Sequence, residues 1–382
     1  MADDLNDARA LAYDAIDGIV FEGKQVRRDI GWRAIARHAA DGGYRAAGVD
    51  IDAGNDAVSR LRAAVERTHT PAVLAGVGSF GGVFDLAGVL RYRQPVLVAS
   101  TDGVGTKVML AAEAGRPEVS GIDIVNHCID DVLVQNARPL FFLDYIASSK
   151  LEPALVAAVV GGMADACAAA GCALLGGETA EMPGVYTDGH FDVAGTLIGV
   201  AERGELLPRT GGDRAVAPGD VLIGLASSGP HTNGYSLLRR VFAAMPLDAS
   251  PEPLTGTLAD ALLAPHRSYL GALAPVLDQT DSPIKALIHI TGGGLIENPP
   301  RVLPAGCGVE IRLGSWHVPP LFRLVRDITA LDPHELHRTL NMGIGMVIVV
   351  APGDVAATQA ALGEESWVIG AVTRGDGTVA LV

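Results

Sequence analysis

The feature that most constrains this chain is a repeated junction. A short apolar run of strand length ends at once in glycine, carboxylate and hydroxyl residues. Pro95-Val96-Leu97-Val98-Ala99 runs into Ser100-Thr101-Asp102-Gly103-Val104-Gly105-Thr106-Lys107. Cys172–Leu175 runs into Gly176-Gly177-Glu178-Thr179-Ala180-Glu181, and Asp220–Ser227 into Ser228-Gly229-Pro230-His231-Thr232-Asn233. Lys285–Ile290 ends in Thr291-Gly292-Gly293-Gly294. Glycine lets a backbone turn sharply and approach a ligand, and bare N–H groups in such a turn cradle anions. A carboxylate there can hold a divalent metal, and a lysine can offset phosphate charge. The set points to a magnesium-phosphate site built from separate strand ends, against the plainer reading of polar turns.

Gly121–Ala137 adds a helix. Ile122, Val125, Ile129, Val132 and Leu133 trace one face, while Asp123, Asn126, His127, Asp130 and Asp131 fill much of the rest. His127 and Asp131 are four residues apart and therefore neighbours on its surface. Two adjacent carboxylates on such a helix are costly to bury without a cation. The reading is metal-phosphate ligation, and the alternative is a solvated face. His231, in a loop beside Ser, Thr and Asn, suits phosphate donation or acid–base work.

Two familiar motifs fail. Gly76-Val77-Gly78-Ser79-Phe80-Gly81-Gly82 contains G-x-G-x-x-G, but Pro71–Ala75 is a poor strand and no long helix pattern follows. It reads instead as a glycine loop near a ligand. The Asp102–Lys107 stretch lacks the G-x-x-x-x-G-K-[ST] order of a P-loop.

Composition excludes several classes. Acidic residues outnumber basic ones by 44 to 29, for a formal charge of −15, and no basic run is present. Nucleic-acid binding is not expected, because it needs clustered positive charge. Cys128, Cys167, Cys172 and Cys307 form no C-x-x-C pair and read as reduced, packed thiols in a cytoplasmic setting. No stretch reaches 18 apolar residues, so no membrane span is expected. An apolar fraction of 49% supports large cores, and the expected class is α/β. Residues 1–43 read as one or two amphipathic helices closed by an Asp41–Gly43 break. Residues 203–219 read as a linker, which divides the rest into 44–210 and 211–382.

The chain resembles the phosphoribosylformylglycinamidine cyclo-ligases, the aminoimidazole ribonucleotide synthetases. The matching text is A-G-V-D-I-D-A-G-N (47–55), T-D-G-V-G-T-K (101–107), P-L-F-F-L-D-Y (139–145), G-G-E-T-A-E-M-P-G (176–184), S-S-G-P-H-T-N-G-Y-S-L (227–237), T-G-G-G (291–294) and E-N-x-P-R-V-L-P (297–304). The resemblance implies two mixed-sheet α/β halves, with the N-terminal halves pairing in a homodimer. It implies conversion of formylglycinamidine ribonucleotide and ATP to aminoimidazole ribonucleotide, ADP and phosphate. It also implies a need for Mg2+ and, as in some members, a monovalent cation such as K+.

Carried onto this chain, Asp102 and Asp131 fall at the ATP and metal site, with Gly103, Gly105 and Thr106 on the nucleotide and Lys107 on a phosphate. Glu178 or Glu181 joins the metal or nucleotide ligands. His231 and Asn233 fall near the reacting phosphoryl group. Gly78, Gly81 and Gly293 lie against phosphates of ATP or substrate. Three departures stand out: residues 1–43 lack a counterpart, Asp130 stands where the family often has Asn, and both glycine loops differ in their flanking residues. Other members of the superfamily fit less well. The larger formylglycinamidine ribonucleotide synthase needs a glutaminase, and selenophosphate synthetase implies an early cysteine, whereas none precedes Cys128.

Overall fold

The apolar runs become strands of two separate sheets. The structure is a computed structural model that describes residues 4–39 and 49–382. The expected Asp41–Gly43 break, with Ala47 and Gly48, lies outside these residues. Helices α1 (Leu5–Asp17) and α2 (Trp32–Ala39) come first. The first half follows as α3 (Ile51–Glu66), β1 (Val73–Ala75), β2 (Val83–Phe84), β3 (Pro95–Gly103), α4 (Lys107–Glu113), α5 (Glu118–Leu133), β4 (Arg138–Ser148), α6 (Pro153–Ala169), β5 (Ala173–Glu181) and β6 (Phe191–Glu202). Its main sheet has the order β3-β6-β4-β5, antiparallel except for the parallel β4–β5 pair.

Helices α3, α5 and α6 build one core against this sheet. Ile124, Cys128 and Ile129 of α5 meet Val159 and Met163 of α6, over Phe142 of β4 and Leu197 of β6. Each large side chain so buried contributes roughly 1.5–3 kcal/mol. The helices cross closely because Gly121 and Gly162 carry no Cβ. One would collide with the Val159 carbonyl and the other with that of Glu118. The opposite sheet face is open, with Leu97, Leu143 and Tyr145 exposed on it.

The second half holds β7 (Val221–Ala226), α7 (Tyr235–Val241), α8 (Leu258–Leu262), α9 (Leu270–Leu277), β8 (Ala286–His289), α10 (Gly294–Glu297), β9 (Cys307–Ile311), α11 (Pro320–Thr329), α12 (Pro333–Thr339), β10 (Ile344–Val350), α13 (Val355–Leu362), β11 (Ser366–Arg374) and β12 (Val379–Leu381). Its six strands run β12-β9-β11-β7-β10-β8. Both sheets are therefore mixed and both halves are α/β. The halves share cores: Leu110 and Ala111 of α4 pack with Tyr235, Leu238 and Phe322, and Leu133 of α5 packs with Ile223 and Met346.

Helix α3 begins at Ile51, because Asp50 caps it by accepting from the Asp52 and Ala53 N–H groups. One expectation changes. The polar stretches read as loops after β3 and β5 are largely strand: β3 continues through Gly103 and β5 through Glu181. Extended backbone tolerates those residues because alternate side chains face opposite ways. Helix α1 buries no residue against the body. It folds back on its own return segment, where Tyr13 donates to the Arg27 carbonyl and Lys24 to those of Ile16 and Ile19.

Candidate active site at the seam of the two halves

Strand alternation places Ser100 and Asp102 on the helix-covered face of β3, opposite Asp131 near the end of α5. The Ser100 hydroxyl lies 3.0 Å from both Asp102 Oδ2 and Asp131 Oδ2. Burial and the neighbouring Asp131 push the Asp102 carboxyl up to about 6. Burial also opposes ionisation of Asp131. The His289 hydrogen bond at 2.8 Å and the His289 charge outweigh it and hold Asp131 below the usual carboxylate range. His127 Nε2 stands 3.6 Å from Asp102 and 3.9 Å from Asp131, and its Nδ1 lies 2.6 Å from the Thr232 hydroxyl. Burial pushes His127 down to about 4, so it is neutral. Two carboxylates, one of them harder to ionise than usual, form an all-oxygen pair suited to a hard cation.

The polar side of α5 is not solvated; it faces the second half. Asp123 Oδ1 accepts from the His266 N–H, Asn126 donates to the His266 carbonyl, and Asp130 Oδ1 accepts from the Tyr269 N–H. Lys107 belongs to this seam. Its ammonium is fully buried, 2.7 Å from Asp123, and donates to the carbonyls of His231 and Ala264. The structure places Lys107, expected on a phosphate, inside this seam, with its donors on protein oxygens that tie the halves together. Burial pushes this lysine down, and Asp123 opposes the shift.

His231 is also fully buried, with φ at 61°, stacked on His266 with ring centroids 4.0 Å apart. Gly345 makes room for it, because a Cβ there would strike His231 Cε1 and the Tyr269 hydroxyl. Burial keeps His231 well below its usual value. It is therefore a neutral imidazole inside the seam rather than an exposed loop donor. It connects to the carboxylates through His266 and His289, whose Nε2 atoms are 3.2 Å apart.

Glu178 and Glu181 do not join Asp102 and Asp131. β5 is three strands from β3, or roughly 14 Å at ordinary strand spacing. Both Glu181 oxygens accept backbone N–H groups, from Asp50 and Leu151 at 2.6 and 2.8 Å. Within one chain Glu181 therefore stands apart from Asp102 and Asp131. Glu178 is exposed and lines a separate 280 Å³ cavity with Asp144, Gly177 and Val58. The glycine loop lies at this same edge. Gly78 has φ +98° beside Arg62, Gly81 is open, and a Cβ on Gly82 would strike Leu175.

Gly103 ends β3, Gly105 turns with φ +70°, and Thr106 precedes α4 without a capping bond from its side chain. At the other junction, Gly293 and Gly294 have positive φ, and a Cβ on them would strike Glu297 and the His337 carbonyl. Asn298 pins this loop, accepting from the Thr291 N–H and donating to the Gly292 carbonyl. Asn233 faces Gly292. Edge strands β3 and β8 leave between them a cleft of about 580 Å³, lined by Ser100, Asp131, His289, Thr291, Asn298 and Arg301 among others.

Residues 84–201 match the N-terminal domain of the AIR synthase related proteins and residues 217–382 the C-terminal domain. A phosphoribosylformylglycinamidine cyclo-ligase of Geobacillus kaustophilus is 49% identical over 340 residues, 87% of this chain and 96% of that protein. The chain belongs to the phosphoribosylformylglycinamidine cyclo-ligase family. Solved structures share the fold at lower identity. The thiamine-monophosphate kinase of Stenotrophomonas maltophilia aligns at TM-score 0.61 and 18% identity, covering 85% of this chain and 95% of that one. A hydrogenase maturation protein HypE in complex with ATP aligns at 0.57 and 20%, covering 83% and 88%.

Within this cyclo-ligase fold, sequence reasoning missed several residues that the structure brings to the seam. His289 is the last residue of β8, two positions before Thr291, and the strand-end logic applied to Asp102 would have found it. His266 follows Pro265 in a stretch without periodicity, and no local signal marks it. Asp123 was visible on α5, but its pairing with Lys107 joins positions 16 residues apart on two helices and shows only in three dimensions.

Proposed function

We propose that this chain closes formylglycinamidine ribonucleotide to 5-aminoimidazole ribonucleotide, using ATP and releasing ADP and phosphate. The observation that carries the reading is the Asp102–Ser100–Asp131 set, next to a cleft that also presents His289 and Arg301. An amide oxygen is a poor leaving group. Transfer of the γ-phosphoryl to it, with loss of ADP, gives an iminophosphate. A nitrogen of the same substrate then forms the ring C–N bond and gives up a proton, and phosphate leaves with the former amide oxygen. The second step is intramolecular, so holding the substrate folded supplies much of the rate. The first needs positioning and charge stabilisation more than a protein nucleophile.

The oxygen donors fit Mg2+, and Asp102 and Asp131 would hold it. When bound, it neutralises phosphate charge. Ser100 holds the two carboxylates in register, and His289 keeps Asp131 ionised. Neutral His127 adds no positive charge beside the pair. Arg301 brings a guanidinium to the cleft for an anionic substrate.

The enzyme works as a homodimer through the open face of the first sheet, where Leu97, Leu143 and Tyr145 are exposed. Four free, buried cysteines suit the cytoplasm. The test is a product assay with formylglycinamidine ribonucleotide. Aminoimidazole ribonucleotide is expected only with both ATP and Mg2+, and added K+ shows whether a monovalent cation contributes. Folded, ATP-binding protein that forms no product would refute the reading.

A further inference from the structure

Four imidazoles crowd the seam, more than phosphoryl transfer on a hard cation requires. His127, His231, His266 and His289 lie with neighbouring ring centroids 4.0–5.2 Å apart. A neutral imidazole has one N–H and one lone pair, and a buried ring normally satisfies both. Here His231 Nδ1 and His266 Nδ1 are buried and have no hydrogen-bond partner among the described residues. His289 differs: its Nδ1 is held by Asp131 at 2.8 Å, and its Nε2, which releases its proton to solvent when a metal binds, faces His266. A carboxylate on the far nitrogen of a histidine is the arrangement that orients metal-ligating imidazoles.

We propose that His231, His266 and His289 form a binding site for a borderline divalent transition metal, with Zn2+ as its probe. One ligand atom from each ring can be chosen so that all three lie within 4.8 Å of one another. His266 Nε2 and His289 Nε2 are 3.2 Å apart. Two nitrogens on a tetrahedral zinc at ordinary bond lengths are about 3.3 Å apart. His231 supplies the third nitrogen from the ring stacked on His266. Asp130 Oδ2 is buried and without a hydrogen-bond partner, 3.4 Å from His266 Nε2, and supplies negative charge that a buried divalent ion needs. The cleft gives a path in, since His289 lines it. Nitrogen ligands select zinc, copper, nickel or cobalt over magnesium, whereas Asp102 and Asp131 are oxygen donors that select the reverse. Zinc here occupies His231 and His289 and so competes with turnover; its binding does not depend on the cyclo-ligase reading.

The test uses the full chain, freed of metal, titrated with Zn2+ in the presence of millimolar Mg2+. One zinc per chain is expected, with three imidazole nitrogens in its shell by X-ray absorption. Co2+ in its place should give the visible spectrum of a tetrahedral site. His266→Gln should weaken zinc by about 100-fold or more, while Asp102→Asn, which alters no imidazole, should retain it. The wild-type absorption measurement stands even if His266→Gln fails to fold. A shell of oxygens only, displacement by Mg2+, or equal affinity in His266→Gln would overturn the proposal.

Discussion

Strands β3 and β5 carry look-alike polar stretches at opposite edges of one sheet, and their fates differ. Asp102 on β3 meets a histidine and, through Ser100, a second carboxylate, Asp131, which lines an open cleft. Glu181 on β5 meets two backbone N–H groups and is consumed by them. What separates them is the neighbour each finds. β3 is flanked by the end of α5 and faces the second half, whereas β5 is flanked by the start of α3 and the loop before α6. The partners of Asp102 and Asp131 are side chains beside a cleft, whereas those of Glu181 are two backbone N–H groups.

The largest expected effect comes from the structural side of the seam. Lys107→Met leaves Asp123 buried without its cation and should cost about 3–5 kcal/mol, read from denaturant unfolding. The double variant Lys107→Met/Asp123→Leu should recover much of that loss. If the single variant were as stable as wild type, and only phosphate affinity fell, Lys107 would belong to the site after all.

Next is Asp131→Asn, which removes one ligand charge from the pair. It should lower kcat by about 100- to 1,000-fold, with a far smaller effect on melting than Lys107→Met. Unchanged turnover would remove Asp131 from the metal site.

Much of this contrast was legible in the residues, and some was not. The strand runs, the polar α5 and the junction at Asp102 announce themselves through period and chemistry. Glu181 looks the same as Asp102 in sequence, because nothing local says that Asp50 and Leu151 will donate to it. Lys107 misleads for a related reason: beside two glycines and a threonine it reads as a phosphate contact, yet it points into the interior and pairs with a helix further on. His266 has no local pattern at all and acquires its place only when the two halves close on α5.

The pH dependence sharpens the comparison further. Asp102 titrates near 6, above the ordinary carboxylate range, because burial and Asp131 disfavour its charge. Below that pH it binds a proton and loses its value as a ligand. kcat/KM should therefore fall by about tenfold per pH unit on the acid side, and Asp102→Asn should flatten this limb while lowering activity throughout. An acid limb unchanged in Asp102→Asn would assign the titration elsewhere.

The smallest effect should come from the N-terminal helices. α1 buries nothing against the body, so a chain lacking residues 1–43 should keep turnover within about twofold, as expected for changes away from packed or paired groups. A large loss would place the extension in the site or the dimer.

The central claim is that metal carboxylates come from β3 and α5 and not from β5. Mn2+ binding, followed by its paramagnetic signal in Asp131→Asn and Glu181→Gln side by side, tests it most directly. The account predicts affinity at least tenfold weaker in Asp131→Asn and unchanged in Glu181→Gln. Loss of Mn2+ in Glu181→Gln with retention in Asp131→Asn would contradict it.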